Sequence, residues 1–346
     1  MNKSHHNTLR PIVDELANDV SILEALNLKP GIRRELPSRA KLIELVEILR
    51  GILFPGYFGA SEVSVDNLTY AIGAAMEHVF HGLSEQIRRG LCAACTSPTD
   101  ASCSRCAERA RGITREFLSR LPAVRETLLS DVRAAYEGDP AACSPAEVLF
   151  SYPGIFAITN YRLAHELLKL GVPYLPRIIT EHAHSLTGID IHPGAQIGGA
   201  FFIDHGTGVV IGETCIIGER VRLYQGVTLG ARSFPLDEHG NPIKGIPRHP
   251  VLEEGVVIYS NATLLGRITI GRNSSIGGNV WLTHSVPENS VITQSKLRTP
   301  TSGEVFTPVP APKEKKEKTG AAPKEATSCG TSSGKTEKTK AAKSKK

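Results

Sequence analysis

Residues 252–282 read LEEGVVIYSNATLLGRITIGRNSSIGGNVWL. An aliphatic side chain stands at every sixth position: Leu252, Ile258, Leu264, Ile270, Ile276 and Leu282. Small or β-branched residues sit four after the anchors, at Val256, Ala262, Ile268, Ser274 and Val280. Six is not a multiple of the helical period of about 3.6, and the run is too regular for an ordinary strand-and-loop domain. It is the hexapeptide period of a parallel β-helix. Each hexad makes one short side and turn, three hexads close a coil, and stacked coils bury one column of aliphatic side chains.

The same period extends upstream. Ile211, Ile217, Leu223 and Leu229 are six apart, with Cys215, Val221 and Val227 in the small positions. Ile191, Ile197 and Ile203 begin the repeat, and a slip of two residues at Gly208-Val209-Val210 shifts its register. From Ala231 to Pro247 the period stops among Pro235, Asp237, His239, Gly240, Asn241, Pro242, Gly245 and Pro247. That composition predicts a loop leaving the solenoid, and long loops in compact domains are usually functional or disordered. The repeat fades after Val286-Pro287.

Residues ahead of the repeat read as helical. Ile22 and Leu26 hint at a first short helix. Leu42, Ile43, Val46 and Leu49 fall at helical spacing, in a helix that starts at Pro37-Ser38 and ends at Pro55-Gly56. Further helices are expected over Val65–Leu91, Ala107–Tyr136 (broken or kinked near Pro122), Phe156–Leu170 and Arg177–Leu186. Gly138-Asp139-Pro140 is a turn. The organisation is α+β: a helical N-terminal domain over 1–190, a parallel β-helix over 191–292, and a tail over 293–346.

Composition supports this division. The chain has 346 residues, 40% hydrophobic, with 5% aromatics and one Trp, which suits a solenoid packed with aliphatics. The net charge of +5 comes from residues 301–346, where eleven Lys face five Glu. That segment has almost no large apolar residues and is expected to be disordered, with only weak, salt-sensitive contacts to acidic partners. No specific nucleic-acid binding is expected. No apolar stretch is long enough to span a membrane, and the N-terminus lacks a signal-peptide apolar region, so a cytoplasmic protein is expected.

Polar residues interrupt the solenoid in one region. Asp190 and His205 are 15 apart where one coil takes about 18 residues, on the same side of adjacent coils and half a side out of step. An Asp–His pair makes a general base, the carboxylate fixing the tautomer and supporting the imidazolium as it forms. Asp190 can equally be a turn residue bonding to backbone. His205, in a Gly-rich turn, is better suited to chemistry.

Asp190-Ile-His-Pro-Gly-Ala, Asp204-His205-Gly-Thr-Gly, Gly212-Glu-Thr, Gly226-Val-Thr-Leu-Gly230 and Arg248-His249-Pro250 together resemble the serine O-acetyltransferases. The resemblance spans about residues 137–292 and takes in Gly138-Asp139-Pro140-Ala141. It implies a left-handed β-helix and transfer of acetyl from acetyl-CoA to L-serine, the opening step of cysteine biosynthesis. His205 would be the general base and Asp190 its orienting partner. Asp139 and Asp204 would bind the substrate ammonium, and Arg248 with His249 its carboxylate. A zwitterionic substrate needs one anionic and one cationic clamp. Gly230, Ala231, Ser260 and Gly278 match the small positions against which CoA lies, in a groove between subunits. The resemblance also implies homotrimers, often paired into hexamers.

There are departures. The loop before Arg248 resembles a longer-loop branch with a Phe-Pro-x-Asp-x-x-Gly-Asn core. The Gly-Val-Pro-Ala segment after the last coil is absent. A chain ending Lys345-Lys346 stands where the family has a terminal Ile that inserts into cysteine synthase, so that complex is not expected.

Four of the seven cysteines form two pairs, Cys92-x-x-Cys95 and Cys103-x-x-Cys106. Two such pairs supply the four thiolates of tetrahedral zinc, a closed site with a structural role. An iron–sulfur cluster, a redox pair or four unliganded thiols are the alternatives. For the molecule as a whole, three other readings stand. One is acyl transfer to another amino acid or an amino sugar. Another is a carbonic-anhydrase-type β-helix with zinc on His192, His205 and His249. The last is a non-enzymatic scaffold.

Overall fold

The structure, a computed structural model, describes residues 3–18, 35–59, 64, 66–95 and 100–294. The helix hinted at by Ile22 and Leu26, residues 96–99 and the Cys103 side chain of the cysteine cluster, and the tail from residue 295 lie outside the described residues. The helices and the β-helix belong to one compact unit, Met1–Gln294.

The hexads form a three-sided parallel solenoid, a left-handed β-helix. Side 1 stacks β1 (Asp190–Ile191), β4 (Val210–Ile211), β7 (Thr228–Gly230), β10 (Thr263–Leu265) and β13 (Trp281–Leu282). Side 2 stacks β2 (Gln196–Ile197), β5 (Ile216–Ile217), β8 (Val251–Leu252) and β11 (Thr269–Ile270). Side 3 stacks β3 (Phe202–Ile203), β6 (Arg222–Leu223), β9 (Val257–Ile258), β12 (Ser275–Ile276) and β14 (Val291–Ile292). The anchors fall in register: Ile191 on Ile211 on Leu229 on Leu264 on Leu282 along side 1. Ile217 pairs Leu252 on side 2, and Leu223 pairs Ile258 on side 3. These columns are buried, and the small residues four after each anchor fill the space beside them.

The corners explain how two-residue strands turn so often. Between sides 2 and 3, Ala200, Arg220, Gly255, Asn273 and Asn289 all adopt left-handed φ. Between sides 3 and 1, Gly208, Gly226, Asn261 and Asn279 do the same. Gly and Asn are the residues that accept this conformation most readily. The two-residue slip is located by the strands: β4 begins eight residues after β3, whereas β7 begins six after β6. The extra residues fall just upstream of Gly208-Val209-Val210. His205 and Gly206, with φ of 55° and 89°, are part of this enlarged corner.

Among the described residues the helices are α1 (Lys3–Ala17), α2 (Arg39–Leu53), α3 (Leu68–Ala93), α4 (Asp100–Gly138), α5 (Pro145–Ser151), α6 (Pro153–Lys169) and α7 (Leu175–Thr187). Ser38 caps α2, its hydroxyl accepting from Lys41 N. Of the break or kink expected near Pro122, the break is absent: α4 runs through the proline as one helix. Proline forfeits a backbone hydrogen bond and crowds the preceding turn. Buried Phe117 and Leu121 before it, and Val124 and Leu128 after it, hold both halves on the same core.

α6 caps the open end of the solenoid. Tyr161 donates to Ala195 O at 2.5 Å, and Arg162 donates to Ile197 O and Gly198 O. Arg162 is also paired in bidentate fashion with fully buried Asp131 of α4, whose carboxylate accepts Phe201 N at 2.9 Å. Burial pushes the Asp131 carboxyl up, against the pull of Arg162 and that N–H. The first coil, which would otherwise present unpaired carbonyls, is thereby closed.

Candidate active site

The residues singled out from sequence gather at two corners of the β-helix. The first lies between sides 3 and 1. Asp204 follows β3, its N–H bonded to Leu223 O, and its side chain is one-fifth exposed. His205 is three-quarters exposed, its Nε2 4.0 Å from Asp204 Oδ1. Its left-handed backbone turns the imidazole outward, a strained conformation of the kind that collects at functional sites.

Asp139 reaches this corner from the turn after α4. Ser144 caps α5 by accepting Glu147 N, and Glu147 reaches back to Cys143 N, so the turn is tied at its far end. Asp139 Oδ1 accepts Ala141 N at 2.8 Å, and Oδ2 accepts the Tyr152 hydroxyl at 2.5 Å. The Tyr152 hydrogen bond, followed by the Ala141 N–H, holds the Asp139 carboxyl below the usual range. The His205 ring lies within electrostatic reach of it. α6 begins close to β3 because residue 154 is glycine: a Cβ there would stand 2.6 Å from Ile203 O.

The second corner lies between sides 1 and 2. The Arg248 guanidinium donates to Glu213 at 2.6 Å and to Ile246 O. Burial pushes the Glu213 carboxyl up, but Arg248 and the charges around it outweigh this and leave it low. The Thr214 hydroxyl oxygen accepts the N–H groups of Arg248 and His249, and Thr214 N donates to His249 Nδ1 at 3.0 Å. That bond puts the neutral ring's proton on Nε2. Burial first, then Arg248, draws the His249 pKa down to about 4, so the ring is uncharged near neutrality. The ring lies on Gly212, where a Cβ would come within 2.1 Å of it. His249 is 7% exposed, so Arg248 is the more open member of the pair. Burial likewise lowers His192, whose Nδ1 accepts Gly194 N.

Asp190 lies in side 1, directly in register with Val210. Among the described residues no hydrogen bond or ion pair joins it to His205. Its carboxylate instead lies within 4.8 Å of ligand atoms of Glu181 and His184 in α7. Of the small positions, Ser260 and Gly278 stack on successive coils at the His205 corner, with Asn279 N bonded to Ser260 O. Gly230 ends β7 on side 1 and Ala231 opens the loop. Cys215 is buried and its thiol is pushed up to about 12, which removes it as a nucleophile.

Tyr152, Glu213 and Thr214 were not picked out as site residues from sequence. Tyr152 carries no periodic or motif signal. Glu213 and Thr214 stood in a quoted motif, but only the fold shows them bonded to residues 34 and 35 positions away.

The bacterial transferase hexapeptide family (six repeats) matches residues 249–284. Over 265 residues the chain is 57% identical to a "Serine acetyltransferase, plasmid" of Synechococcus elongatus, covering 76% of this chain and 83% of that one. The chain belongs to the serine acetyltransferase family. A Mycobacterium tuberculosis serine acetyltransferase is 47% identical over 162 residues, 47% of this chain and 67% of that relative. Among solved structures, Entamoeba histolytica serine acetyltransferase isoform 3, in complex with cysteine, aligns with a TM-score of 0.63 and 34% identity. It covers 80% of this chain and 88% of that one. The molecule is therefore an acyltransferase with acetyl-CoA as co-substrate and serine as acceptor. This displaces the carbonic-anhydrase and scaffold readings. No helix among the described residues is long and apolar enough to cross a membrane.

Proposed function

We propose that His205 takes the proton from the serine hydroxyl as that oxygen attacks the thioester carbonyl of acetyl-CoA. The new C–O bond replaces the C–S bond, CoA leaves as thiolate, and the imidazolium returns the proton to it. The observation that carries this reading is the exposed His205 imidazole standing beside two carboxylates, Asp204 and the pinned Asp139. Those two bind the ammonium; Arg248, with the neutral Nε2–H of His249 behind it, takes the carboxylate. Asp190, half-buried and with no side-chain hydrogen bond to another described residue, is assigned the orienting of His205. The acetyl-CoA chain runs over Gly230, Ala231, Ser260 and Gly278.

The two clamps lie at opposite ends of side 1, with β4 between them. Six residues span at most about 20 Å at ~3.3 Å each, and even shortened by the turns at both corners this side is longer than the few ångströms between the two charges of serine. One copy therefore supplies the ammonium clamp and its neighbour the carboxylate clamp, which supports the homotrimer. The decisive measurement is CoA release. His205→Ala is expected to lower turnover at least about a hundredfold, the usual scale for a general base. Near-normal turnover in folded His205→Ala protein refutes the mechanism.

The cysteine cluster is a separate proposal, resting on sequence: one structural zinc held by Cys92, Cys95, Cys103 and Cys106. Cys92 lies at the end of α3 and Cys106 in α4; neither they nor Cys95 is disulfide-bonded. Elemental analysis is expected to find about one zinc per chain, lost in Cys92→Ser. Metal-free protein with four titratable thiols would sink the idea; iron would change its identity.

A further inference from the structure

Tyr152 stands at the elbow between α5 and α6, as the residue that ends one helix and precedes Pro153 of the next. Its hydroxyl donates to one oxygen of Asp139 and the Ala141 N–H donates to the other. One donor on each oxygen fixes the plane of the carboxylate and leaves lone pairs on both for a third partner. The phenol is itself pushed up from its ordinary value, first by its bond to Asp139, then by burial and nearby carboxylates that include Asp204. It therefore stays protonated, and a donor, across the working pH range. Asp139 accepts this hydroxyl, and Asp204, from a different element, lies within its electrostatic reach. The close packing of Gly154 on Ile203 sets the start of α6 against the residue that precedes Asp204.

We propose that Tyr152 is the positioning residue of the ammonium pocket, holding Asp139 ionised and correctly aimed from an element to which neither carboxylate belongs. The proposal rests on the reading above that Asp139 receives the substrate ammonium. Its chemical consequence is selectivity: Tyr152 favours an amino acid over the same hydroxy acid without its ammonium. Without the hydroxyl, Asp139 keeps only the Ala141 N–H, its carboxylate is free to rotate, and its negative charge is less well supported.

Tyr152→Phe tests this, because it keeps the ring packing and the backbone and removes only the hydroxyl. Steady-state kinetics are measured with L-serine and acetyl-CoA, and 3-hydroxypropanoate, serine without its ammonium, is titrated as a competitive inhibitor. The serine KM is expected to rise roughly tenfold or more, the scale of a lost hydrogen bond to a charged group. The acetyl-CoA KM and the inhibition constant of 3-hydroxypropanoate are expected to stay near wild type. Asp139→Asn is expected to raise the serine KM as well, and adding Tyr152→Phe to it to change little more, since the two act as one unit. Equal weakening of serine and 3-hydroxypropanoate, or effects that add in the double variant, would overturn the proposal and leave Tyr152 with a packing role. If Asp139→Asn raises the serine KM while Tyr152→Phe does not, the Tyr152 assignment alone fails. If Asp139→Asn leaves the serine KM unchanged, the underlying role of Asp139 fails with it.

Discussion

His249 shows how burial sets the charge state on which a site depends. Burial, followed by Arg248, His192 and Arg267, lowers its pKa to about 4 against the opposing pull of Glu213. The unfolded chain titrates near about 6.5. Between these values the unfolded state binds a proton that the folded state refuses, so stability rises with pH in this window. The stabilisation is complete above about 6.5 and is lost as pH falls toward 4. It amounts to at most about 3 kcal/mol for this one group. Urea unfolding of wild type is expected to weaken over this range, and His249→Asn, though less stable throughout, is expected to fall less steeply. Parallel slopes for the two proteins would show that His249 is not the titrating group. Arg248 is held in place beside it by its hydrogen bond to Glu213.

At the scale of elements, the joint between the helices and the β-helix rests on Asp131 and Arg162. Three carbonyl or N–H groups of the first coil are bonded to this pair, which lies almost wholly out of water. Removing one charge leaves the other buried and unpaired, which typically costs about 3–5 kcal/mol. Asp131→Asn is therefore expected to lower unfolding stability on that scale, measured by chemical denaturation. A loss below about 1 kcal/mol would mean that the pair is not integral to the joint. The helical periodicity of Leu42, Val46 and Leu49 was readable because those residues face one core. Continuity across Pro122 was not, because proline's local preference argues for a break and only the contacts of distant segments override it.

For the whole molecule, the proposal that two copies share one active site has its own test. His205→Ala and Arg248→Ala are each expected to be severely impaired alone, since each lacks one half-site. Unfolding the two together and refolding them is expected to restore part of the activity, because some mixed interfaces unite an intact His205 corner with an intact Arg248 corner. Activity no higher than the sum of the separately refolded variants would place the whole site within one chain.

The sequence by itself determined the β-helix, because a six-residue period of aliphatic side chains has one economical solution: stacked coils with a single buried column. It also marked Asp204, His205, Arg248 and His249 as candidates for the chemistry, since they interrupt that period where the coils turn. The tertiary structure alone decided what those residues touch. Tyr152 meets Asp139 thirteen positions away, and Thr214 meets His249 thirty-five positions away. It also decided that His249 is buried and neutral while His205 is exposed. These outcomes follow from which turns lie over one another, and a local pattern of residues carries no record of its distant neighbours.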